Sequence, residues 1–232
     1  MNTAIQSRLE SVRNTIAQAA TEHHRPIDSI QLLAVSKTRD ADEIMAAYNC
    51  GQHCFGESYL QEAITKIDQL KDKASIEWHF IGSIQSNKTR LIAENFDWVH
   101  SVYKLKHAQR LSEQRPGSMP PLNICLQINI DAEETKGGVP PQDATDLIRQ
   151  IGRLPGIQLR GLMTLPSPSD NIDAQRKPFR MLRELRDKLA TTDLPLETLS
   201  MGMSDDMEAA IAEGATLVRV GTALFGPRPA RP

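Results

Sequence analysis

Short apolar runs rich in β-branched residues alternate along this chain with stretches in which apolar residues recur every three or four positions. Runs of the first kind are typical of buried strands, and those of the second kind are typical of amphipathic helices. The chain opens with a helical pattern, carried by Ile5, Leu9, Val12 and Ile16. This spacing predicts an N-terminal helix that ends before His23.

Apolar runs and helical stretches then follow one another to the end of the chain. The predicted strands cover residues 32–36, 53–56, 77–82, 96–102, 123–130, 158–165, 198–203 and 216–225. The predicted helices cover residues 41–50, 59–71, 86–93, 104–113, 141–153, 174–190 and 205–213.

This alternation predicts the fold class. Eight strands that alternate with helices in 232 residues indicate an α/β protein with one domain, residues 1–232. The expected architecture is a TIM (β/α)8 barrel with an extra N-terminal helix. An open doubly wound sheet is the alternative, but it usually has fewer strands and a glycine-rich turn after the first strand.

Composition narrows the class of partner. The net charge is -2 and aromatic residues make up 4% of the chain, so no nucleic-acid partner is predicted. The N-terminus lacks the apolar segment of a signal peptide, and no run has the length of a membrane span. The three cysteines are too few, and odd in number, for a disulfide framework. We expect a soluble, cytoplasmic protein that binds a small molecule and no membrane.

Candidate metal ligands are few. Cys50, His53 and Cys54 are close in the sequence, but no second pair of cysteines or histidines follows at the spacing of a structural zinc site. We therefore predict no metal site.

The first predicted strand leads into a lysine. Alternation places Leu33, Val35 and Lys37 on one face, so the Lys37 amine lies at the C-terminal end of a buried strand. Active sites of TIM barrels lie at this end. Partial burial would lower the pKa of the amine, and a neutral amine can form a Schiff base with an aldehyde. The alternative is a lysine that simply extends into solvent.

The ends of the last two predicted strands are suited to binding a phosphate group. Gly221 and Thr222 follow the eighth strand, and a glycine lets an anion approach backbone N–H groups. Ser204 follows the seventh strand, and the loops after these two strands bind phosphate in many TIM barrels. A simpler alternative is a helix N-cap, with Asp205 and Glu208 forming a capping box.

A Schiff-base lysine and a phosphate turn together match the two ends of pyridoxal 5′-phosphate (PLP). The sequence also resembles the pyridoxal phosphate homeostasis protein family, whose members are related to the barrel domain of alanine racemase. The resemblance covers nearly the whole chain and is carried by residues 34–37 (AVSK), 55–57 (FGE), 78–82 (WHFIG), 85–88 (QSNK), 161–163 (GLM), 200–206 (SMGMSDD) and 218–222 (VRVGT). It implies a PLP-binding barrel of fold type III.

The resemblance also implies a set of cofactor-binding residues: Lys37, His79, Met163, Ser204, Arg219, Gly221 and Thr222. In this set Lys37 would hold PLP as a Schiff base, and Arg219 would face the pyridine nitrogen. A cation at that nitrogen disfavours protonation of the ring, which then becomes a weaker electron sink. The family usually has asparagine where this chain has Ser58, and a hydroxyl cannot make all the hydrogen bonds of an amide.

By this resemblance, we expect a PLP-binding protein that acts in intracellular vitamin B6 and PLP homeostasis without dedicated catalysis. It would either deliver PLP to apo-enzymes through transient contacts or store it, and other B6 vitamers are further candidate ligands. Alanine racemase has a second, β-rich domain, and the short sequence after the last motif has no room for one. We therefore expect a monomer.

Two enzymatic alternatives stay open. The first is a PLP-dependent amino-acid racemase or lyase in which Lys37 moves the proton and His79 is the second base. None of Tyr48, Tyr59 and Tyr103 is expected at the opposite face of the cofactor. The second alternative is a cofactor-free Schiff-base aldolase, which uses the same lysine and phosphate turn but would be colourless.

Overall fold

The strands close into a barrel. A computed structural model describes residues 3–133 and 136–227, and in this part of the chain parallel strands pair in sequence order, the last with the first. They are β1 (Gln31–Val35), β2 (Cys54–Glu57), β3 (Glu77–Phe80), β4 (Trp98–Val102), β5 (Leu122–Gln127), β6 (Ile157–Met163), β7 (Thr198–Ser200) and β8 (Leu217–Val220). The predicted TIM barrel is confirmed. The predicted domain also includes residues 1–2, 134–135 and 228–232, which lie outside the described residues.

Helices surround the barrel. They are α1 (Thr3–Glu22), α2 (Ala41–Tyr48), α3 (Leu60–Gln69), α4 (Thr89–Asn95), α5 (Leu105–Gln114), α6 (Ala144–Ile151), α7 (Ile172–Leu189), α8 (Met207–Ala212) and α9 (Thr222–Phe225). The apolar face predicted for the N-terminal helix is buried as expected, with Ile5, Leu9, Val12 and Ile16 all in the core. Among the described helices, none combines the length and the apolar character needed to cross a bilayer.

The two faces of the strands pack differently. Alternate residues such as Phe55, Trp78 and Phe80 belong to the main apolar core, where strands meet helices. A smaller apolar cluster of Trp98, Cys125 and Met163 is separate from this core. Buried polar side chains, among them His79, His100 and Ser200, also lie on the inner face of the barrel.

The eighth predicted strand extends too far. Residues 216–225 were expected to form one strand, but β8 ends at Val220 and Thr222 begins the short helix α9. The apolar residues Leu224 and Phe225 misled the prediction, because a buried helical turn and a buried strand have the same hydrophobicity over so few residues.

The region after the seventh strand also differs from the prediction. β7 ends at Ser200, because Gly202 has a φ of +92° that no strand residue adopts. The alternative of a capping box formed by Asp205 and Glu208 is wrong. Helix α8 begins at Met207, and the N-cap residue Asp206 accepts a hydrogen bond from the backbone N–H of Met203 instead.

Candidate functional site

A cavity of about 350 Å³ lies at the C-terminal ends of the strands. This volume is within the range of small-molecule sites in proteins. Its apolar wall consists of Val35, Ile81, Met163, Leu165 and Met203. Its remaining lining consists of Lys37, Ser58, Ser204, Asp205, Arg219, Gly221 and Thr222. The cavity therefore combines an amine, a guanidinium and several hydroxyls with an apolar surface.

Most of the predicted site residues meet at this cavity, although they are far apart in the sequence. The ones that line it are Lys37, Met163, Ser204, Arg219, Gly221 and Thr222. They come from β6 and β8, the turns after β1, β7 and β8, and the first residue of α9. The closure of the barrel between β8 and β1 is what brings the lysine next to the glycine turn.

His79 is the exception, because it does not line the cavity as expected. It pairs with Gly56 in the sheet and is fully buried in the barrel interior. Ile81, two residues further along the chain, lines the cavity on the same side. Strand alternation puts His79 and Ile81 on the same face, but His79 lies one layer below the cavity that the family resemblance implied for it.

Lys37 lies in the turn that follows β1. Leu33 and Val35 precede it on the inner face of the barrel, as the alternation predicted, and Val35 and Lys37 both line the cavity. The next residue, Thr38, has a φ of +66°, which is uncommon for any residue other than glycine. The surrounding structure must therefore hold this turn in place.

A buried ion cluster holds the turn. The Lys66 ammonium of α3 donates to the backbone oxygen of Ser36 and to Glu57 Oε1, both at 2.8 Å, and it also contacts Glu62. The Ser36 hydroxyl donates to the same Glu57 oxygen at 2.6 Å. On the other side of the turn, the backbone N–H of Thr38 donates to Glu62 at 2.6 Å. The residues before and after Lys37 are thus both tied to one cluster.

Arg219 contributes a buried cation to the cavity. Its side chain is on β8, the residue is only 4% exposed, and burial lowers the pKa of its guanidinium to about 10, so it is protonated at neutral pH. Nη1 donates to Ser200 Oγ at 2.8 Å, and Nη2 donates to the backbone oxygen of Thr164 at 2.9 Å. Both acceptors are uncharged. The positive charge is therefore not neutralised by these two hydrogen bonds, and its electrostatic partner is the carboxylate of Asp206, which raises the pKa of the guanidinium against the effect of burial.

Hydroxyls and glycine backbone form the other end of the cavity. Ser204 and Thr222 line it together with Gly221. A Cβ atom on Gly221 would lie 3.3 Å from the backbone oxygen of Val35, so a glycine allows the turn to approach β1 closely. Asp205 also lines this end, but it is an exposed residue.

Several lining residues were absent from the predicted set. Ile81 and Leu165 each lie two residues beyond an inward-facing position, so strand alternation carried a signal for them. Ser58 follows β2 and lines the cavity, although its departure from the family pattern had kept it out of the set. The role of Lys66 had no such signal, because a lysine within a helix usually faces solvent.

Comparison with known proteins first defines the class. The family described as "Alanine racemase, N-terminal domain" matches residues 7–229. A solved alanine racemase from Corynebacterium glutamicum has the same fold, with a TM-score of 0.68 and 20% sequence identity. The match covers 98% of this chain and 62% of the racemase chain. The chain therefore belongs to the family described as "Alanine racemase, N-terminal domain".

More similar proteins identify the family within this class. The pyridoxal phosphate homeostasis protein of Pseudomonas aeruginosa is 53% identical over 224 residues, which are 97% of this chain and 96% of that protein. The protein of the same name from Escherichia coli K12 is 46% identical over 226 residues, 97% of each chain. PipY of Synechococcus elongatus, solved with PLP bound, is 38% identical with a TM-score of 0.82, and the match covers 96% of this chain and all of PipY. This chain belongs to the pyridoxal phosphate homeostasis protein family.

Proposed function

We propose that this chain binds PLP in the cavity, holds it as a Schiff base on Lys37, and acts in intracellular PLP homeostasis. One observation carries the proposal: an amine, a buried cation and a hydroxyl-lined glycine turn meet at one cavity. The similarity to PipY, a relative solved with PLP bound, supports it.

The chemistry of the lining fits the groups of PLP. The cofactor has an aldehyde, a phosphate and a flat pyridine ring. Lys37 offers the amine for the aldehyde, and the Ser204 and Thr222 hydroxyls with the Gly221 backbone offer donors for the phosphate. Apolar side chains such as Met163 offer contact surface for the ring.

The Schiff base follows from ordinary amine chemistry. When bound, PLP supplies an aldehyde carbon that a neutral amine can attack. Lys37 would supply this amine, and its condensation with the aldehyde would release one molecule of water. By the family resemblance the Arg219 guanidinium would face the pyridine nitrogen, where a cation would disfavour protonation and so limit the electron-withdrawing power of the ring.

We propose a binding protein without dedicated catalysis. The racemase alternative depends on a second acid or base that faces the cofactor. His79, its candidate, is buried beneath the cavity. Tyr48, Tyr59 and Tyr103 are all in the described part of the chain, and none of them lines the cavity.

The covalent link is tested by absorption spectroscopy and borohydride reduction. We expect the purified protein, given PLP, to show a yellow band that reduction removes, with the adduct mapped to Lys37 by mass spectrometry. Lys37→Ala should give no adduct. Lys88→Ala is the matched control, because Lys88 lines a neighbouring cavity of about 270 Å³, and it should behave as the wild type. A colourless protein that does not take up added PLP would refute the proposal and favour the cofactor-free aldolase.

Further proposals concern partners and location. We propose that the 25.8 kDa chain is monomeric, binds other B6 vitamers as well as PLP, and contacts apo-enzymes transiently. Light scattering after gel filtration tests the mass, and transfer of PLP to an apo-enzyme tests the contacts.

We also propose that the protein is cytoplasmic. The three cysteines are all free, which is typical of proteins in a reducing compartment and supports this proposal.

A further inference from the structure

A chain of hydrogen bonds, buried except at its Glu77 end, runs through the inside of the barrel. Glu77 Oε1 is 2.7 Å from His79 Nε2, and His79 Nδ1 is 2.8 Å from His100 Nε2. His100 Nδ1 is 2.8 Å from Ser200 Oγ, which accepts from Arg219 Nη1 at 2.8 Å. These five residues, the interior chain, connect the first residue of β3 to the cavity. The two histidines and the serine are fully buried.

The two ends of the interior chain determine the direction of its hydrogen bonds. A guanidinium can only donate, and an ionised carboxylate can only accept. The hydrogen bond from His79 lowers the pKa of Glu77, so this carboxylate is ionised at neutral pH. Burial holds the pKa of His100 well below its ordinary value, so this imidazole is neutral.

The structure gives the Ser200 hydroxyl two hydrogen-bond partners, His100 Nδ1 and Arg219. Because a guanidinium can only donate, the Ser200 proton goes to His100, and the rest of the chain follows from this bond. The Ser200 hydroxyl donates to His100 Nδ1, and His100 Nε2–H donates to His79 Nδ1. His79 Nε2–H then donates to Glu77. Both imidazoles therefore carry their proton on Nε2. The stacking of His79 on Trp98, with ring centroids 5.5 Å apart and planes 6° apart, fixes the ring plane that this arrangement needs.

The direction of these hydrogen bonds determines which part of the Ser200 hydroxyl faces the Arg219 guanidinium. Because the Ser200 proton is committed to His100, the Ser200 oxygen presents only lone pairs to the guanidinium. A reversed chain would place the Ser200 oxygen between two donors and would leave the Ser200 proton without an acceptor among the partners that the structure gives it. Leaving a buried polar atom without its partner is costly, so the bonds of such a chain depend on one another.

We propose that Glu77, His79, His100 and Ser200 are positioning residues that orient Arg219 in the cavity and thereby control cofactor affinity and the electronic state of the bound ring. This inference rests on the proposed function, because it takes PLP as the ligand that Arg219 faces. TIM-barrel interiors are usually filled with branched apolar side chains. The polar residues here connect to a side chain that lines the cavity, which simple packing does not require.

The first test examines the protein without cofactor. Nitrogen-15 NMR of the imidazole rings distinguishes the two neutral tautomers, and loss of signals in His79→Gln and His100→Asn assigns them. We expect Nε2–H tautomers for both residues. Nδ1–H tautomers would overturn the inference, and this measurement requires only the wild-type fold.

The second test compares two buried serines. Ser200→Ala removes the link between Arg219 and His100, and we expect PLP to bind about tenfold more weakly, with a shifted absorption maximum. Ser101→Ala is the matched control, because Ser101 is also buried but donates to the backbone oxygen of Gly82, outside the interior chain. Its affinity should stay within about twofold of the wild type.

A second pair of variants separates positioning from packing. His100→Asn should weaken PLP binding and shift the absorption maximum although His100 does not line the cavity, whereas His107→Asn should change neither. His107 is also buried, but it contacts Ser86. Suppose that the wild type binds PLP. If Ser200→Ala and His100→Asn then bind PLP with the wild-type affinity and the wild-type spectrum, this inference is wrong. If the wild type itself does not bind PLP, the proposed function fails instead.

Discussion

At the scale of single residues, Gly202 sets the conformation of the turn that leads from β7 into the site. It has a φ of +92°, and a Cβ atom there would lie 2.5 Å from the Cβ of Ala210. The residue ends β7 and directs the chain into the turn that carries Ser204. We expect Gly202→Ala to lower the free energy of unfolding by about 1–3 kcal/mol, because the new side chain meets both backbone strain and a steric clash.

Urea unfolding tests this expectation, and the control is a variant of a glycine at which a new side chain would have no close neighbour. A Cβ atom on Gly117 would have no neighbouring heavy atom within 4 Å, so Gly117→Ala should change the free energy of unfolding by less than about 0.5 kcal/mol. Equal unfolding midpoints for the two variants would contradict the account of Gly202.

The site residues differ in how well the sequence predicts them. The position of Lys37 follows from strand alternation, which depends only on local geometry. The depth of His79 does not, because alternation assigns a face and not a layer. The layer depends on the register between strands, which pairs His79 with Gly56 and which no single strand encodes.

At the scale of elements, the ion pair of Lys66 with Glu57 joins helix α3 to the ends of β1 and β2. Both residues are buried, so removing the ammonium leaves a carboxylate without compensation. We expect Lys66→Met to lower the free energy of unfolding by about 3–5 kcal/mol. Adding Glu57→Gln should recover more than about 1 kcal/mol, because the two residues are coupled.

Urea unfolding of the single and double variants measures this coupling. Lys71→Met is the matched control, because Lys71 pairs with Asp68 at the surface, where both side chains are more than 70% exposed. It should cost less than about 1 kcal/mol. A Lys66→Met variant as stable as Lys71→Met would show that the cluster does not stabilise the turn.

The elements themselves were largely predictable, and their ends were not. Each strand and each long helix has a clear periodicity, and the N-terminal helix buries the face that its spacing predicted. The ends after β7 and β8 depend on Gly202 and Gly221, whose conformations are set by contacts with other parts of the barrel. Such contacts are tertiary, so local sequence patterns do not encode them.

At the scale of the whole molecule, the inside of the barrel has two layers. The upper layer is the cavity, with Lys37 at the end of β1 and Arg219 on the neighbouring strand β8. The lower layer holds the polar residues of the interior chain. The predicted fold indicated where the cavity lies, because active sites of TIM barrels lie at the C-terminal ends of the strands. The interior chain joins β3, β4, β7 and β8, and only the closed barrel places its members in contact.

Burial of these polar groups makes the stability of the whole molecule depend on pH. The pKa of His100 lies well below the ordinary value of 6.5, so the unfolded chain binds a proton near pH 6 that the folded protein does not bind. The stability that His100 contributes by remaining neutral is therefore fully present above pH 6.5 and is lost as the pH decreases. Between about pH 7 and pH 5.5, we expect this group to account for a loss of about 1 kcal/mol in the free energy of unfolding.

Urea unfolding at the two pH values measures the loss, and His100→Asn should reduce it by about that amount, because asparagine does not titrate. The comparison uses the change with pH and not the absolute stability, so a general destabilisation of the variant does not affect it. His24→Asn is the matched control. His24 is exposed and has a φ of +53°, which asparagine adopts readily, and this variant should keep the wild-type dependence. If His100→Asn also keeps it, His100 is not held neutral in the folded barrel, and the direction of the interior chain must be different.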